Sequence, residues 1–527
     1  MARYLILSEA GDGVGLALRL KREGHSVRVW PRGQQAEKHG RGLVEFAEGY
    51  EFGEMLVADS TGFGLLLDRA RDEGAAVFGG GTFADQLESD RKFSEEVMKS
   101  SGIAVPRSKS VTTWDEARAA VEELSGGGRV ALKPEGGLSG NLASYVASDP
   151  DDAAEMIAQW ERTHMQGAIE MTVQEFVEGV AVSTEGWFNG EEWIEGMFNH
   201  TLEKKHFLAG DLGASGGCSG NVVWRCDRRD PIVEGTLAGM TELLRERCYC
   251  GPIDINCVVN ERGVYGLEFT PRFGYDALPT LLHLAEFDFG DFVGSCARGQ
   301  SSDAALADGY AAGVKLSISP YPSKRYDAQE GVPLRGFGPG DDEWFYPYNV
   351  RLEDEELRSS GGQGILGVMS GRGDVIGEAY ARAYEICSRL KIPEVQYRVD
   401  LTEAILKDFR ELNRIISGAE ELPGWYGFDL DGTLAKHRKG QMKIGDPIEE
   451  AIKRMRRRLN AGKEVRIVTA RGAIEGPERY VQLVAVYDWL RENVGTVVEV
   501  TASKDPQMIE LEDDRVVEIE KNTGRAA

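Results

Sequence analysis

The apolar run Tyr4 to Leu7 is broken by Gly11, Gly13 and Gly15, after which 16–22 repeats its apolar positions at helical spacing. Short apolar strands recur at 26–30, 55–59 and 76–78 with helical stretches between them. That alternation predicts a parallel sheet covered by helices. Residues 82–106 read as one helix ending near Gly102. The stretch 129–133 reads as a strand ending in Lys, and a Gly-rich loop follows to Asn141. A helix over 151–162 and a strand over 171–177 come next. Residues 180–188 and 192–198 alternate like antiparallel strands, and 210–221 reads as a second glycine loop. A hairpin is expected from 253–259 and 264–272, turning at 260–263. Further strands are expected at 312–319, 343–350, 364–369 and 395–399, and helices at 376–390 and after 401. The pattern resets at Trp425, behind Pro423-Gly424, which puts a boundary near 420.

Composition narrows the class. The chain has 527 residues and a formal net charge of −26, which argues against a general nucleic-acid coat or a membrane-surface protein while leaving room for a local basic site. No run of 18 apolar residues occurs, so no spanning helix is expected. The seven Cys lack zinc spacing and read as free thiols of a cytoplasmic protein. The N-terminus has no cleavage-site pattern of a signal peptide. The oligomeric state is not legible.

Some chemistry is readable from the residues themselves. A Lys at a strand end beside glycine-rich backbone, as at Lys133, suits a polyphosphate. The 253–272 hairpin brings Asp254 or Asn256 within reach of Glu268, a hard-oxygen set for Mg²⁺. Arg272 can grip a phosphate or carboxylate and stabilise developing charge. Gly11-x-Gly13-x-Gly15 falls short of a dinucleotide fingerprint and reads at least as well as a tight turn. The basic run 453–458 lies among Ile448, Ile452, Met455 and Leu459 at helical spacing, which makes it the solvated face of a helix.

In this order, the residues resemble the ATP-grasp ligases of the glycinamide ribonucleotide synthetase family, over about residues 1–415. Lys92 resembles the family's first nucleotide lysine. Lys133 with Gly136, Gly137 and Ser139 resembles its phosphate-covering loop. Glu175, Phe176, Val177 and Glu178 resemble the adenine hinge, and Lys204, Lys205 and Asp211 a substrate loop. Glu268 to Arg272 resembles the metal-and-phosphate strand, with Arg272 catalytic and Glu268, Asp254 and Asn256 on the metal. The resemblance implies ATP with Mg²⁺ (Mn²⁺ as the alternative ion). It also implies a small carboxylate, glycine or another amino acid, activated as an acylphosphate that an amine then attacks. Three positions depart from the family pattern: Thr270 stands in place of an Asn, Ala181 near the place of a ribose-binding acid, and Gly13-Val14-Gly15-Leu16 replaces charged residues.

Residues 424–527 resemble a small phosphatase of the haloacid dehalogenase superfamily, through Asp429-Leu-Asp431-Gly-Thr, Thr469-Ala-Arg471, Lys504 and Asp513-Asp514. The resemblance implies that Asp429 is the nucleophile on a phosphate ester and Asp431 the general acid and base. It puts Mg²⁺ on Asp429, Asp431 and Asp513 or Asp514, and the phosphate on Thr469 and Lys504.

The fold expected is therefore α/β, with an α+β grasp part. A pre-ATP-grasp parallel sheet (1–80) precedes an ATP-grasp domain (81–305) and a small β-rich ligase domain (306–415). A Rossmann-like haloacid dehalogenase-type domain (424–527) closes the chain. The function expected is ATP-dependent carboxylate–amine ligation joined to a Mg-dependent phosphatase. The alternative is an ATP-binding scaffold, catalytically degenerate, that regulates the phosphatase; Thr270 and Ala181 favour it.

Overall fold

A computed structural model describes residues 2–33, 36–49, 54–135, 144–164, 169–323, 326–437, 440 and 442–515. The chain opens with five parallel strands, β1 (Arg3–Ser8), β2 (Ser26–Pro31), β3 (Glu45–Phe46), β4 (Met55–Ala58) and β5 (Val77–Phe78), in the order β3-β2-β1-β4-β5. Leu5, Ile6, Leu7, Leu56 and Val57 are wholly buried, as strands covered on both faces require. The single helix expected over 82–106 is two, Gly81–Ser89 and Arg91–Ser100. Asp90 breaks it with extended backbone and caps the second helix by accepting the Phe93 amide.

A smaller antiparallel sheet follows: β6 (Ser108–Val111), β7 (Val130–Pro134), β8 (Tyr145–Ala147) and β9 (Met171–Glu175), in the order β6-β9-β7-β8. The helices Trp114–Ser125 and Pro150–His164 cover it, and Ala117, Val121, Leu132, Ile157 and Val173 make its core.

The chain then builds an eight-stranded antiparallel sheet, in the order β14-β13-β10-β11-β12-β15-β20-β17. Its strands are β10 (Val180–Asn189), β11 (Phe198–Leu208), β12 (Leu212–Cys226), β13 (Cys250–Asn260), β14 (Gly263–Thr270), β15 (Tyr310–Ser317), β17 (Phe345–Pro347) and β20 (Ile365–Gly373). Strands β16 (Glu330–Pro333), β18 (Val350–Glu353) and β19 (Glu356–Ser360) form a small separate sheet. Three expectations change here. The glycine stretch 210–221 is not a loop but mostly β12, paired with β11 through Lys204↔Gly220 and Leu208↔Leu212. The strand expected at 192–198 begins only at Phe198, because Trp193 and Ile194 turn into the core. The strand expected at 395–399 reduces to one bridge, Ser317↔Gln396.

The last sheet is parallel: β21 (Trp425–Asp429), β22 (Glu464–Val468), β23 (Val500–Thr501) and β24 (Met508–Glu512), in the order β23-β22-β21-β24. Its helix Glu449–Asn460 buries Ile452 and Met455 and turns the 453–458 run outward, where Arg454 and Arg458 pair with Glu512 and Glu510 of β24 at 2.7 and 2.6 Å. The sheet rests on the preceding helix Ile376–Arg389. Tyr384 stacks on Tyr480 with ring centroids 4.9 Å apart, and the wholly buried Glu378 is held by Arg382 and Arg491 at 2.8 and 2.9 Å. Removing both arginines would leave the buried Glu378 carboxylate unpaired. Among the described residues no helix is long and apolar enough to cross a membrane, and all seven cysteines are free.

Candidate functional site

Alternate residues of a strand share a face, and on the eight-stranded sheet one face is polar across four neighbouring strands. In register, Ser183 and Glu185 of β10 lie opposite Asn256 and Asp254 of β13, and opposite Thr201 and Asn199 of β11. Asn256 and Asp254 lie opposite Glu268 and Thr270 of β14. A bulge at Asn256/Cys257 sets this last pairing by leaving one residue of β14 unmatched, which aims Glu268 at Asn256. Ser183 donates to the Asn256 amide oxygen at 2.9 Å, and the Asn256 amide reaches the Thr270 hydroxyl at 3.3 Å. Glu185 accepts from Trp187 Nε1 and Asn199 at 2.8 and 2.9 Å.

This face is charged beyond what it can neutralise. Burial, then the nearby carboxylates of Glu185 and Glu203, push Asp254 well above the usual carboxylate range. Burial likewise raises Glu185 and Glu203. Arg272 is the main counter-charge. It binds Glu88 at 2.7 Å, lies 3.9 Å from the Tyr275 ring centroid, and its buried Nε has no hydrogen-bond partner. The donors Glu268, Asp254 and Asn256 are hard oxygens in a negative surround, so these residues fit a Mg²⁺ ion.

From the smaller sheet, Lys133 at the end of β7 faces this row. Burial and then the nearby Arg91 lower its pKa to about 8, while Glu268 works against them. An ammonium with that pKa keeps its charge below pH 8 and loses it above. The KM for ATP should therefore be flat below about pH 8 and rise beyond it in wild type, and stay flat in Lys133→Arg, whose guanidinium remains charged. Steady-state KM measured against pH checks this.

The other expected positions divide. Glu175 ends β9 and pairs with Arg107 at 2.5 Å; the Phe176 ring lies 3.8 Å from the Arg129 guanidinium, and Val177 is buried. Glu178 is exposed, and its carbonyl accepts from Asn260 at 2.6 Å. These four residues join the two sheets, and Gly179 completes the crossing with φ 154°, where a Cβ would lie 2.5 Å from the Val259 carbonyl. Lys92 is exposed, one position away from the inward side of its helix; its neighbour Arg91 turns in and pairs with Glu135 at 3.1 Å. Lys204 points to the opposite sheet face from Glu203, where it pairs with Asp408 and Asp211 at 2.6 and 3.6 Å. Asp211 is also taken by Arg398 at 2.7 Å. Neither therefore joins the polar face, whereas the charge of Lys205 acts on Lys133 and Glu203. Gly136, Gly137 and Ser139 lie outside the described residues. Ser183, Glu185, Asn199 and Glu203 lie beyond the expected hairpin, although polar residues stand at every second position of 199–205.

A second site lies at the C-terminal end of β21, where the strand order reverses between β21 and β24. Carboxylate oxygens of Asp429, Asp513 and Asp514 lie within 4.8 Å of one another. Burial and then Asp513, Asp514 and Asp431 raise the Asp429 pKa to about 7. Gly432 allows this approach, since a Cβ there would lie 2.6 Å from the Asp514 carboxylate. The Asp431 carboxylate turns instead to Arg471, which grips both of its oxygens at 2.7 and 2.9 Å. Thr469 is buried beside the end of β22, its hydroxyl accepting the Arg471 amide. Lys504 lies in the short link between β23 and β24. No helix crosses over between β23 and β24, so the chain turns straight back. The neighbouring Asp505 binds Trp425 Nε1 at 2.6 Å and Arg466 at 2.7 Å, at the opposite end of β21.

The two-sheet clamp around the Lys133–Glu268–Arg272 face is the architecture of an ATP-grasp protein. Residues 89–277 match the family model of the phosphoribosylglycinamide synthetase ATP-grasp (A) domain. Phosphoribosylamine–glycine ligase of Halalkalibacterium halodurans is 24% identical over 373 residues, covering 68% of this chain and 84% of the relative. The ligase of Leifsonia xyli is 26% identical, covering 64% and 80%. The crystal structure of phosphoribosylamine–glycine ligase from Thermotoga maritima superposes with a TM-score of 0.59 at 19% identity, over 75% of this chain and 99% of that one. Phosphoribosylglycinamide synthetase from Anaerococcus prevotii gives 0.52 at 14% identity, over 74% and 99%.

Proposed function

We propose that the first three-quarters of the chain is an ATP-dependent carboxylate–amine ligase working through an acylphosphate. The observation that carries this reading is the single polar sheet face, on which Glu268, Asp254 and Asn256 sit across from Lys133 with Arg272 beside them. Lys133 and Arg272 would neutralise the transferring phosphoryl group, and Mg²⁺ held by Glu268, Asp254 and Asn256 would supply further charge stabilisation. The carboxylate accepts phosphate, the amine attacks the acyl carbon, a C–N bond forms and phosphate leaves. Glycine or another amino acid is the carboxylate class, by analogy with what the relatives' names state. The division into a pre-ATP-grasp unit (1–80), a grasp unit (81–305), a ligase unit (306–415) and a C-terminal unit (424–527) belongs to this reading. The test is ADP release by the full chain with amino acid, amine or both added. Release that needs both supports ligation. ATP binding without such release supports the alternative, a scaffold that senses ATP.

For residues 424–527 the favoured reading is a Mg-dependent phosphatase of the haloacid dehalogenase type. The close grouping of Asp429, Asp513 and Asp514 at a strand-order reversal favours it, because three carboxylates so crowded suit a hard divalent cation. Asp429 would attack phosphorus, with Thr469 near the phosphate. Asp431 is held by Arg471, so its part as acid and base requires that pair to open.

A further inference from the structure

Beside the polar face, a cleft of about 750 Å³ opens between the β1–helix loop, the segments after β2 and β14, the strands β12 and β15 and the stretches leading into β18 and β20. It adjoins the phosphoryl end of the site, since its wall residue Tyr275 lies against Arg272. This is where an amine could meet the acyl carbon. The charged groups that line it are Glu9, Asp12, Asp276, Lys315 and Asp327, with His39 and the polar Tyr348, Asn349 and Gln363. Three of the charges are already matched: Lys315 pairs with Asp276 at 3.0 Å, and Glu9 with Arg32 at 3.1 Å. His39 is neutral at pH 7, because burial lowers its pKa to about 4, and it bonds Ser360 at 2.6 Å. Asp12 and Asp327 remain. Among the described residues lining the cleft, the surplus charge is negative.

The obvious cradle for a phosphate, the N-terminus of the Val14–Arg22 helix, is in large part taken by the protein itself. The Ser8 hydroxyl accepts the amides of Gly11 and Gly13 at 3.0 and 3.4 Å, and itself donates to Asp59. The Tyr346 hydroxyl accepts the Leu16 amide at 3.0 Å and donates to the Asp12 carbonyl at 3.1 Å. The glycines serve this packing. A Cβ at Gly13 would lie 2.6 Å from Ile6, and one at Gly15 2.5 Å from the Tyr346 ring. A phosphate seated here would meet the buried Asp59 and the carboxylate of Asp12, with the Gly11, Gly13 and Leu16 amides already taken.

We propose that the acceptor of this ligase is a phosphate-free, cationic amine of the diamine type, one of whose ammonium groups is held by Asp12 while the other amine reacts. This rests on the ligase reading and departs from it only in the acceptor: a phosphorylated amine such as phosphoribosylamine is excluded by the same charges that hold the cation. Asp12 supports the choice in a second way. Burial and then the carboxylates of Asp59 and Asp276 raise its pKa to about 7, and a bound ammonium would relieve that crowding.

The experiment uses the full chain with Mg-ATP and an amino-acid panel. It compares matched acceptors: 1,4-diaminobutane, ethanolamine, O-phosphoethanolamine and phosphoribosylamine. The expected result is ADP release with 1,4-diaminobutane, at a kcat/KM about tenfold or more above either phosphorylated amine, which corresponds to losing one charge-assisted contact. Asp12→Asn should raise the KM for 1,4-diaminobutane about tenfold and leave the KM for ATP unchanged. Asp327→Asn, at the exposed rim, guards against a folding defect in the first variant and should raise the amine KM less. Calorimetric binding of 1,4-diaminobutane, weakened by Asp12→Asn, gives a readout without turnover. Turnover with phosphoribosylamine but not the diamine overturns the inference and leaves the ligase reading standing, as does an Asp12→Asn enzyme with unchanged amine KM and binding. Absence of ADP release with every acceptor, together with no diamine binding, overturns both.

Discussion

Glu268→Gln is expected to lower ATP turnover by about 100-fold or more, or roughly 2.7 kcal/mol of transition-state stabilisation at about 1.36 kcal/mol per tenfold. The amide has the shape of the carboxylate but not its charge, and the site depends on charge. Glu268 sits opposite Asn256 and works against the burial and positive neighbours that depress Lys133. A neutral residue there weakens metal binding and leaves Lys133 easier to deprotonate. The side chain is exposed and at the end of β14, so the β13–β14 pairing and the melting temperature without ligand should not change. Asp211→Asn is the contrasting variant: its carboxylate serves Arg398 on a different surface, and turnover should stay at the wild-type level. Steady-state ADP release and thermal unfolding of both variants check this. Near-normal turnover in Glu268→Gln would falsify the assignment of the metal face.

On the phosphatase reading, Asp429→Asn is expected to lower cleavage of an aryl phosphate by about 1000-fold or more, because one carboxylate would serve as both nucleophile and metal ligand. The raised pKa of about 7 at Asp429 belongs to the metal-free cluster. A divalent cation among Asp429, Asp513 and Asp514 favours the ionised form, so wild-type activity should need Mg²⁺ and vanish with a chelator. ADP release by the grasp site is expected to survive the substitution, since the two sites lie on different sheets. The decisive observation is initial rates on 4-nitrophenyl phosphate with and without Mg²⁺. Equal rates in wild type and variant would remove the phosphatase reading.

The sequence carried strand and helix periods well, and so the parallel opening sheet, the 253–272 hairpin and the Asp429 strand end were legible. Each rests on a local pattern of apolar and polar positions. The site residues that depend on register were legible only in part: the hairpin put Glu268 within reach of Asp254 or Asn256 without choosing between them. Glu268 faces Asn256 because of a bulge, and a bulge leaves no mark on an alternating sequence. Lys204 and Lys205 are adjacent basic residues that read alike, yet a strand sends one to each face and only Lys205 reaches the site. Arg91 and Lys92 differ by one helical step of 100°, enough to exchange inside for outside. The glycines of 212–220 suggested a loop because glycine weakens a strand, but pairing with β11, joined by β15 at Gly220, overrides that preference. Lys504 follows the expected spacing after β22 and β23, in a link to β24 that carries no helix.

The most direct measurement follows oxygen from the carboxylate. An amino acid labelled with ¹⁸O in its carboxyl group is turned over with Mg-ATP and an accepted amine, and the released phosphate is analysed by mass spectrometry. Ligation through an acylphosphate breaks the bond between the acyl carbon and the oxygen bridging to phosphorus, so that oxygen leaves with the phosphate. The expected result is one ¹⁸O in each phosphate released, in step with ADP and the amide product. Phosphate free of ¹⁸O, with ADP released regardless of carboxylate, would contradict ligation and leave an ATP-hydrolysing or ATP-sensing site in its place.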